Sequence, residues 1–150
     1  FNTNQMNVIH VRAGVKIHNQ DPEISNFSFQ PYIRLCNLYL PKNQEVFVIS
    51  DSLKTALALQ TKLFENNFLD VNIKVPETAI HTFGYDQSSF NKMPTRLKVS
   101  YTKMFLKDFF FMLSANHLIC DYRSCVARVA YLLRDGLNIY PINSNNSIIQ

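Results

Sequence analysis

With 150 residues, the chain is long enough for one domain with a substantial core and too short for two ordinary ones. Hydrophobic residues make up 47% and charged residues 17%, which excludes a disordered segment. Fifteen Lys and Arg against eleven Asp and Glu give a net charge of +4 without a basic run, which argues against nucleic-acid binding but is compatible with a small anionic ligand. No stretch reaches about 18 consecutive apolar residues, so no membrane span is expected. The chain opens on Phe1 with no signal peptide before the first polar cluster, and it reads as a fragment or excised domain, separated from any targeting signal.

Taken in order, the elements alternate. Met6 to Arg12 is apolar and β-branched and breaks at Gly14, which predicts a strand. Pro31 to Leu40 has helical spacing through Ile33, Leu35, Leu38 and Tyr39, and Pro41 ends it. Glu45 to Ser50 is a short continuous apolar run, the pattern of a strand covered on both faces. Asp51 and Ser52 precede an amphipathic helix over Leu53 to Asn66, and Asp70 to Val75 is a further strand stopped by Pro76. Residues 77–95 carry Gly84, Pro94 and many polar groups and read as a long loop. Lys98 to Leu113 is an apolar helix with Phe105, Phe109, Phe110 and Phe111; its apolar residues cover more than one face, which predicts burial. His117 to Cys120 reads as a strand, Arg123 to Arg134 as a helix stopped at Gly136, and Leu137 to Tyr140 as a last short strand. Residues 143–150 read as a frayed Asn-rich tail.

This order predicts an α/β fold: a single Rossmann-like domain over residues 1–150, a parallel sheet with helices on both faces. Cys36, Cys120 and Cys125 match neither a zinc spacing nor a disulfide framework, and they are expected to be buried thiols. In such folds ligands sit beyond the carboxyl ends of the strands. That rule selects Arg12 to Lys16, Asp51 with Ser52, and Asp121 to Ser124. Ser124 opens a helix, where backbone amides and the helix dipole favour a phosphate, with Arg12, Lys16, Arg123 and Arg128 as nearby cations. An ordinary polar cap is the plain alternative for Ser124, and a surface salt bridge the plain alternative for Arg12.

Three segments, in order over roughly residues 6 to 135, then resemble a known family. Val8-Ile9-His10-Val11-Arg12-Ala13-Gly14-Val15-Lys16 is similar to the His-Val-Arg-Arg-x-Asp-Lys motif of the α1,6-fucosyltransferases. Val46 to Ser52 resembles their second motif, a strand ending in Thr-Asp-Asp. Asp108-Phe109-Phe110-Phe111-Met112 through Cys120 to Tyr131 is similar to the third, including its Ser-x-Val-x-Arg-Val-Ala-Tyr end. The resemblance implies the C-terminal, GDP-sugar-binding lobe of a two-lobed glycosyltransferase fold. It implies inverting, metal-independent transfer of fucose from GDP-fucose to the core N-acetylglucosamine of N-glycans in α1,6 linkage. No cofactor is implied beyond the donor GDP-fucose. The partners implied are an N-glycan acceptor and an acceptor-binding lobe outside this chain, and the place is the Golgi lumen.

Residue by residue, the resemblance places His10 and Asp108 against the guanine base, where a carboxylate accepts from N1 and N2. It places Arg12 on the β-phosphate, stabilising charge on the departing GDP, and Ser124 on the pyrophosphate. Asp51 matches the second motif, Lys16 the motif lysine, and Glu23 the base that takes the proton from the acceptor hydroxyl. A core histidine, a solvated helix carboxylate and an exposed turn carboxylate are the plain alternatives for His10, Asp108 and Glu23. The chain departs from the family at Ala13, Val15, Ser52 and Arg123, which stand where the motifs have Arg, Asp, Asp and Ser. The departures favour a second expectation, a catalytically impaired relative acting as a binding or interaction module. A kinase- or dehydrogenase-like nucleotide domain is disfavoured by the lack of glycine-rich phosphate loops. The sequons at Asn26 and Asn145 permit N-glycosylation in a secretory lumen.

Overall fold

Continuous apolar runs become the strands of one sheet: β1 (Asn7–Val11), β2 (Val46–Ser50), β3 (Val71–Lys74), β4 (His117–Asp121) and β5 (Ile139–Ile142). The helices are α1 (Gln30–Tyr39), α2 (Leu53–Glu65), α3 (Gln87–Lys92), α4 (Thr95–Leu113) and α5 (Cys125–Leu133). The computed structural model describes residues 6–12, 28–75, 87–135 and 137–142. The strands lie in the order β3-β2-β1-β4-β5, and every pairing is parallel.

Side chains of a strand alternate between faces, and here both faces are covered. Ile9, Val11, Val46, Val48 and Ile119 pack with Leu35 and Cys36 of α1 and Leu59 and Leu63 of α2. Val8, Ile49, Leu118 and Cys120 pack on the opposite face with Met112 of α4 and Ala127 and Ala130 of α5. Phe111 meets Phe47 edge-on, with ring centroids 4.8 Å apart, and fixes α4 over β2. The α/β class and helices on both faces are therefore as the sequence predicts.

The ends of the elements follow local chemistry. Ser52 caps α2 by accepting from the Thr55 N–H at 3.4 Å. Pro31 stands in the first turn of α1, where no intrahelical donor is needed. Arg134 lies just beyond α5 and donates to the carbonyls of Leu113 (2.8 Å), Ala115 (2.7 Å) and Leu137 (3.1 Å). One guanidinium thus satisfies acceptors left open where α4 ends and where the chain turns towards β5.

Four expectations are corrected. The loop expected over residues 77–95 contains α3, and α4 begins at Thr95 rather than Lys98, directly after Pro94. The long helix is not buried: Met112 is its one buried residue, while Phe105, Leu106 and Phe110 are exposed. The last strand is Ile139–Ile142 rather than Leu137 to Tyr140. Cys36 and Cys120 are buried thiols, but Cys125 is exposed. Burial pushes the Cys120 thiol up to about 12, so it packs as an inert apolar group. The expected tail at 143–150 lies outside the described residues.

Leu118 is fully buried in a central strand, whereas Leu69 is 75% exposed. Leu118→Ala is expected to lower unfolding free energy by about 2–5 kcal/mol, and Leu69→Ala by about 0.5 kcal/mol or less. Urea denaturation of the two variants checks this; equal effects would contradict the two-faced core.

Candidate functional site

In the strand order β3-β2-β1-β4-β5, the chain proceeds from β1 in one direction and, after β3, returns to the other side of β1. The connections leaving β1 and β4 therefore part company, and a crevice opens between these two strands at their carboxyl ends. Arg12 follows β1, Asp51 follows β2, and Tyr122, Arg123 and Ser124 follow β4. The strand-end residues selected from the sequence are brought to one edge of the sheet.

Arg12 Nε lies 3.8 Å from Asp51 Oδ2, with the arginine side chain 34% exposed and the aspartate 18%. Such a long, partly solvated pair adds little to stability and leaves the guanidinium at the crevice mouth. His10 shares the strand face of Val8 by alternation. Burial lowers its pKa, partly offset by the negative charges of Asp51 and Asp121, with Arg12 acting in the same sense as burial. Its Nδ1 is shielded from solvent and has no hydrogen-bond partner among the described residues. A neutral imidazole with an unused ring nitrogen beside the crevice is suited to a polar ligand edge.

The β4 end is built around a buried carboxylate. Asp121 Oδ1 accepts from Arg123 Nε at 2.7 Å and from the Arg123 backbone N–H at 3.0 Å. Asp121 Oδ2 accepts from Arg123 Nη2 and from the buried Tyr32 hydroxyl, the latter at 3.3 Å. Hydrogen bonds from the guanidinium to Asp121 raise the Arg123 pKa, so the arginine stays charged. Burial, together with the Asp121 charge, raises the Tyr32 pKa well above its ordinary value, so the hydroxyl remains a donor. Ser124 is the N-cap residue of α5, but its side chain makes no capping bond. Its Oγ is buried and without a hydrogen-bond partner among the described residues.

Asp108 stands on α4, beside the carboxyl end of β3. Its Oδ1 lies 3.8 Å from Lys74 Nζ, which also stands 4.3 Å from the centroid of the Phe111 ring. Burial raises the Asp108 pKa, against Lys74 and Lys107, which lower it. The charges acting on Asp108 are thus Lys74 and Lys107, and those acting on His10 are Asp51, Asp121 and Arg12. The two residues expected to share a guanine base have separate electrostatic partners. Lys16 and Glu23 lie outside the described residues. Among the described residues, no group of three or more His, Cys, Asp or Glu side chains is arranged to hold a metal ion, and no helix is long and apolar enough to cross a membrane.

Sequence reasoning did not find the Tyr32 contact or the Lys74 ion pair. An acidic residue two positions before an arginine, directly after an apolar run, is the signal that marks the Asp121–Arg123 fork. Compared with known proteins, the chain matches no family model, no curated protein and no solved structure.

Because the His10 pKa lies below its ordinary value of 6.5, the unfolded chain binds a proton there before the folded chain does. Stability from this residue is present above about pH 6.5 and lost as pH falls towards the lowered value. His117 is shifted in the same direction and contributes with the same sign. Urea titrations of wild type and His10→Gln between about pH 7.5 and 5 are expected to diverge. The variant should show the flatter curve, by up to about 1.4 kcal/mol per pH unit. Parallel curves would mean that His10 is not held neutral.

Proposed function

We propose that this chain is the nucleotide-binding lobe of a fucosyltransferase-like glycosyltransferase and binds GDP-fucose in the crevice between β1 and β4. The observation that carries the reading is the meeting of two independent lines at one edge of the sheet. The residues that resemble the family's phosphate-binding positions, Arg12 and Ser124, stand at the carboxyl ends of β1 and β4, where a parallel sheet of this order receives a ligand. Ser124 adds a buried hydroxyl without a partner among the described residues, at the positive end of a nine-residue helix.

In this reading the diphosphate lies against the start of α5, and Arg12 meets the β-phosphate. Breaking the fucose–phosphate bond places charge on the GDP leaving group, which a fixed guanidinium stabilises more in the transition state than in the ground state. His10 and Asp108 bound the base, and Asp108 then exchanges its Lys74 contact for the guanine donors. Glu23, with Lys16, takes the proton from the acceptor hydroxyl, so that inversion proceeds without a metal or other cofactor. The acceptor, the core N-acetylglucosamine of an N-glycan, receives fucose in α1,6 linkage and is held by a second lobe of a longer protein in the Golgi lumen.

A second reading, a relative that keeps the fold as a binding module, is favoured by two contacts. Ser52, at the position of a motif carboxylate, is occupied in capping α2. Arg123, at the position of a motif serine, is engaged by Asp121.

Calorimetric titration with GDP, GMP and ADP separates the readings. The first expects guanine-selective binding that persists in a chelator and weakens about 10- to 100-fold in Arg12→Ala. Asp108→Asn is expected to narrow the preference for GDP over ADP, since an amide presents a donor where guanine needs an acceptor. No binding by a folded chain would favour the binding module and remove the catalytic roles.

A further inference from the structure

The Asp121 side chain is fully buried at the end of β4, directly before the α5 N-terminus. A helix N-terminus carries the equivalent of about half a positive charge. One ionised carboxylate beside it outweighs that charge and would turn an anion site into an anion-repelling one. Arg123 cancels this effect, since its guanidinium engages both Asp121 oxygens and its own backbone N–H donates to Oδ1. Tyr32, reaching in from α1, donates a further hydrogen bond to Oδ2. The carboxylate is therefore met from the turn and from the opposite layer, and the Ser124 backbone N–H closes the turn onto the Asp121 carbonyl at 3.0 Å.

The geometry points to Asp121 and Arg123 as an internally neutral positioning unit of the phosphate site, with Arg123 acting on Asp121 rather than on the ligand. This rests on the crevice receiving a diphosphate, as proposed above. Arg123 restores the positive sign of the α5 end and shapes the turn that presents the buried Ser124 hydroxyl. The cation that meets the phosphate is Arg12. The larger side chain at position 123 thus acts as a partner of Asp121, with its Nε and Nη2 donors turned inward to a residue of its own turn.

A double-mutant comparison tests this, using calorimetry with GDP, inorganic pyrophosphate and guanosine, and urea denaturation to verify folding. Arg123→Ala removes the counter-charge of Asp121 beside the helix end and is expected to weaken GDP and pyrophosphate about tenfold or more, with guanosine unchanged. The combined Asp121→Asn, Arg123→Ala variant keeps an oxygen to accept from the backbone N–H and turns its amide N–H to the Tyr32 hydroxyl oxygen, which accepts, without the charge. It is expected to bind both phosphate ligands within about threefold of wild type. A double variant as weak as Arg123→Ala would make Arg123 a direct phosphate ligand and overturn the proposal, as would an Arg123→Ala variant that binds like wild type. Equal loss for guanosine would mark a merely structural role and also overturn it. Should Arg123→Ala fail to fold, the double variant against wild type decides: retained binding supports the proposal and lost binding overturns it. Wild type that binds pyrophosphate without preferring GDP would defeat the GDP reading alone, leaving the pair to be judged on pyrophosphate. Wild type that binds neither would overturn both.

Discussion

The constraint on which the rest of this structure depends is that β1 is buried on both faces. Val8 and Ile9 are neighbours in sequence, point in opposite directions and are both fully inaccessible to solvent. A parallel strand in that position needs a helical layer above and below it, and the chain must cross between the layers to supply both. α1 and α2 cover one face and α4 and α5 the other, so the crossing falls after β3. The crevice between β1 and β4 is the geometric result of that crossing. Burying an apolar strand and creating a place for a polar ligand are here one event.

This explains how much could be read without coordinates. Strands with both faces buried appear as unbroken apolar runs, and β2 stands out for that reason. The strand-end rule then locates Arg12, Asp51 and Ser124 from the order of elements alone. β5 runs through Pro141. Among the described residues β5 is the outermost strand, paired only with β4, and a residue without an N–H is tolerated on its other side. The exposure of α4, against its apolar sequence, has a geometric cause. A helix of 19 residues is about 28 Å long, whereas strands of five residues span only about 17 Å. Its C-terminal part packs on the sheet and the rest reaches past it, so an apolar sequence does not bring burial.

The site was less legible than the fold because its contacts join distant parts of the chain. Tyr32 and Asp121 are 89 positions apart, and no local pattern announces that the hydroxyl of one will serve the carboxylate of the other. Lys74 and Asp108 likewise meet only because the fold brings the end of β3 within reach of α4. The formal charge of +4 misleads in the same way. Arg123 and Arg134 spend their donors on groups of the protein itself, so the cations available to a ligand are fewer than composition suggests.

The fan of carbonyls gathered by Arg134 sits where α4 turns into β4 and where β5 begins, at the amino ends of the strands. The crevice lies at the opposite, carboxyl ends. Anchorage and chemistry are thus assigned to different ends of the same sheet. A chain divided in this way can drift at one end while its scaffold endures at the other. Substitutions at the crevice edge leave the carbonyls held by Arg134 untouched.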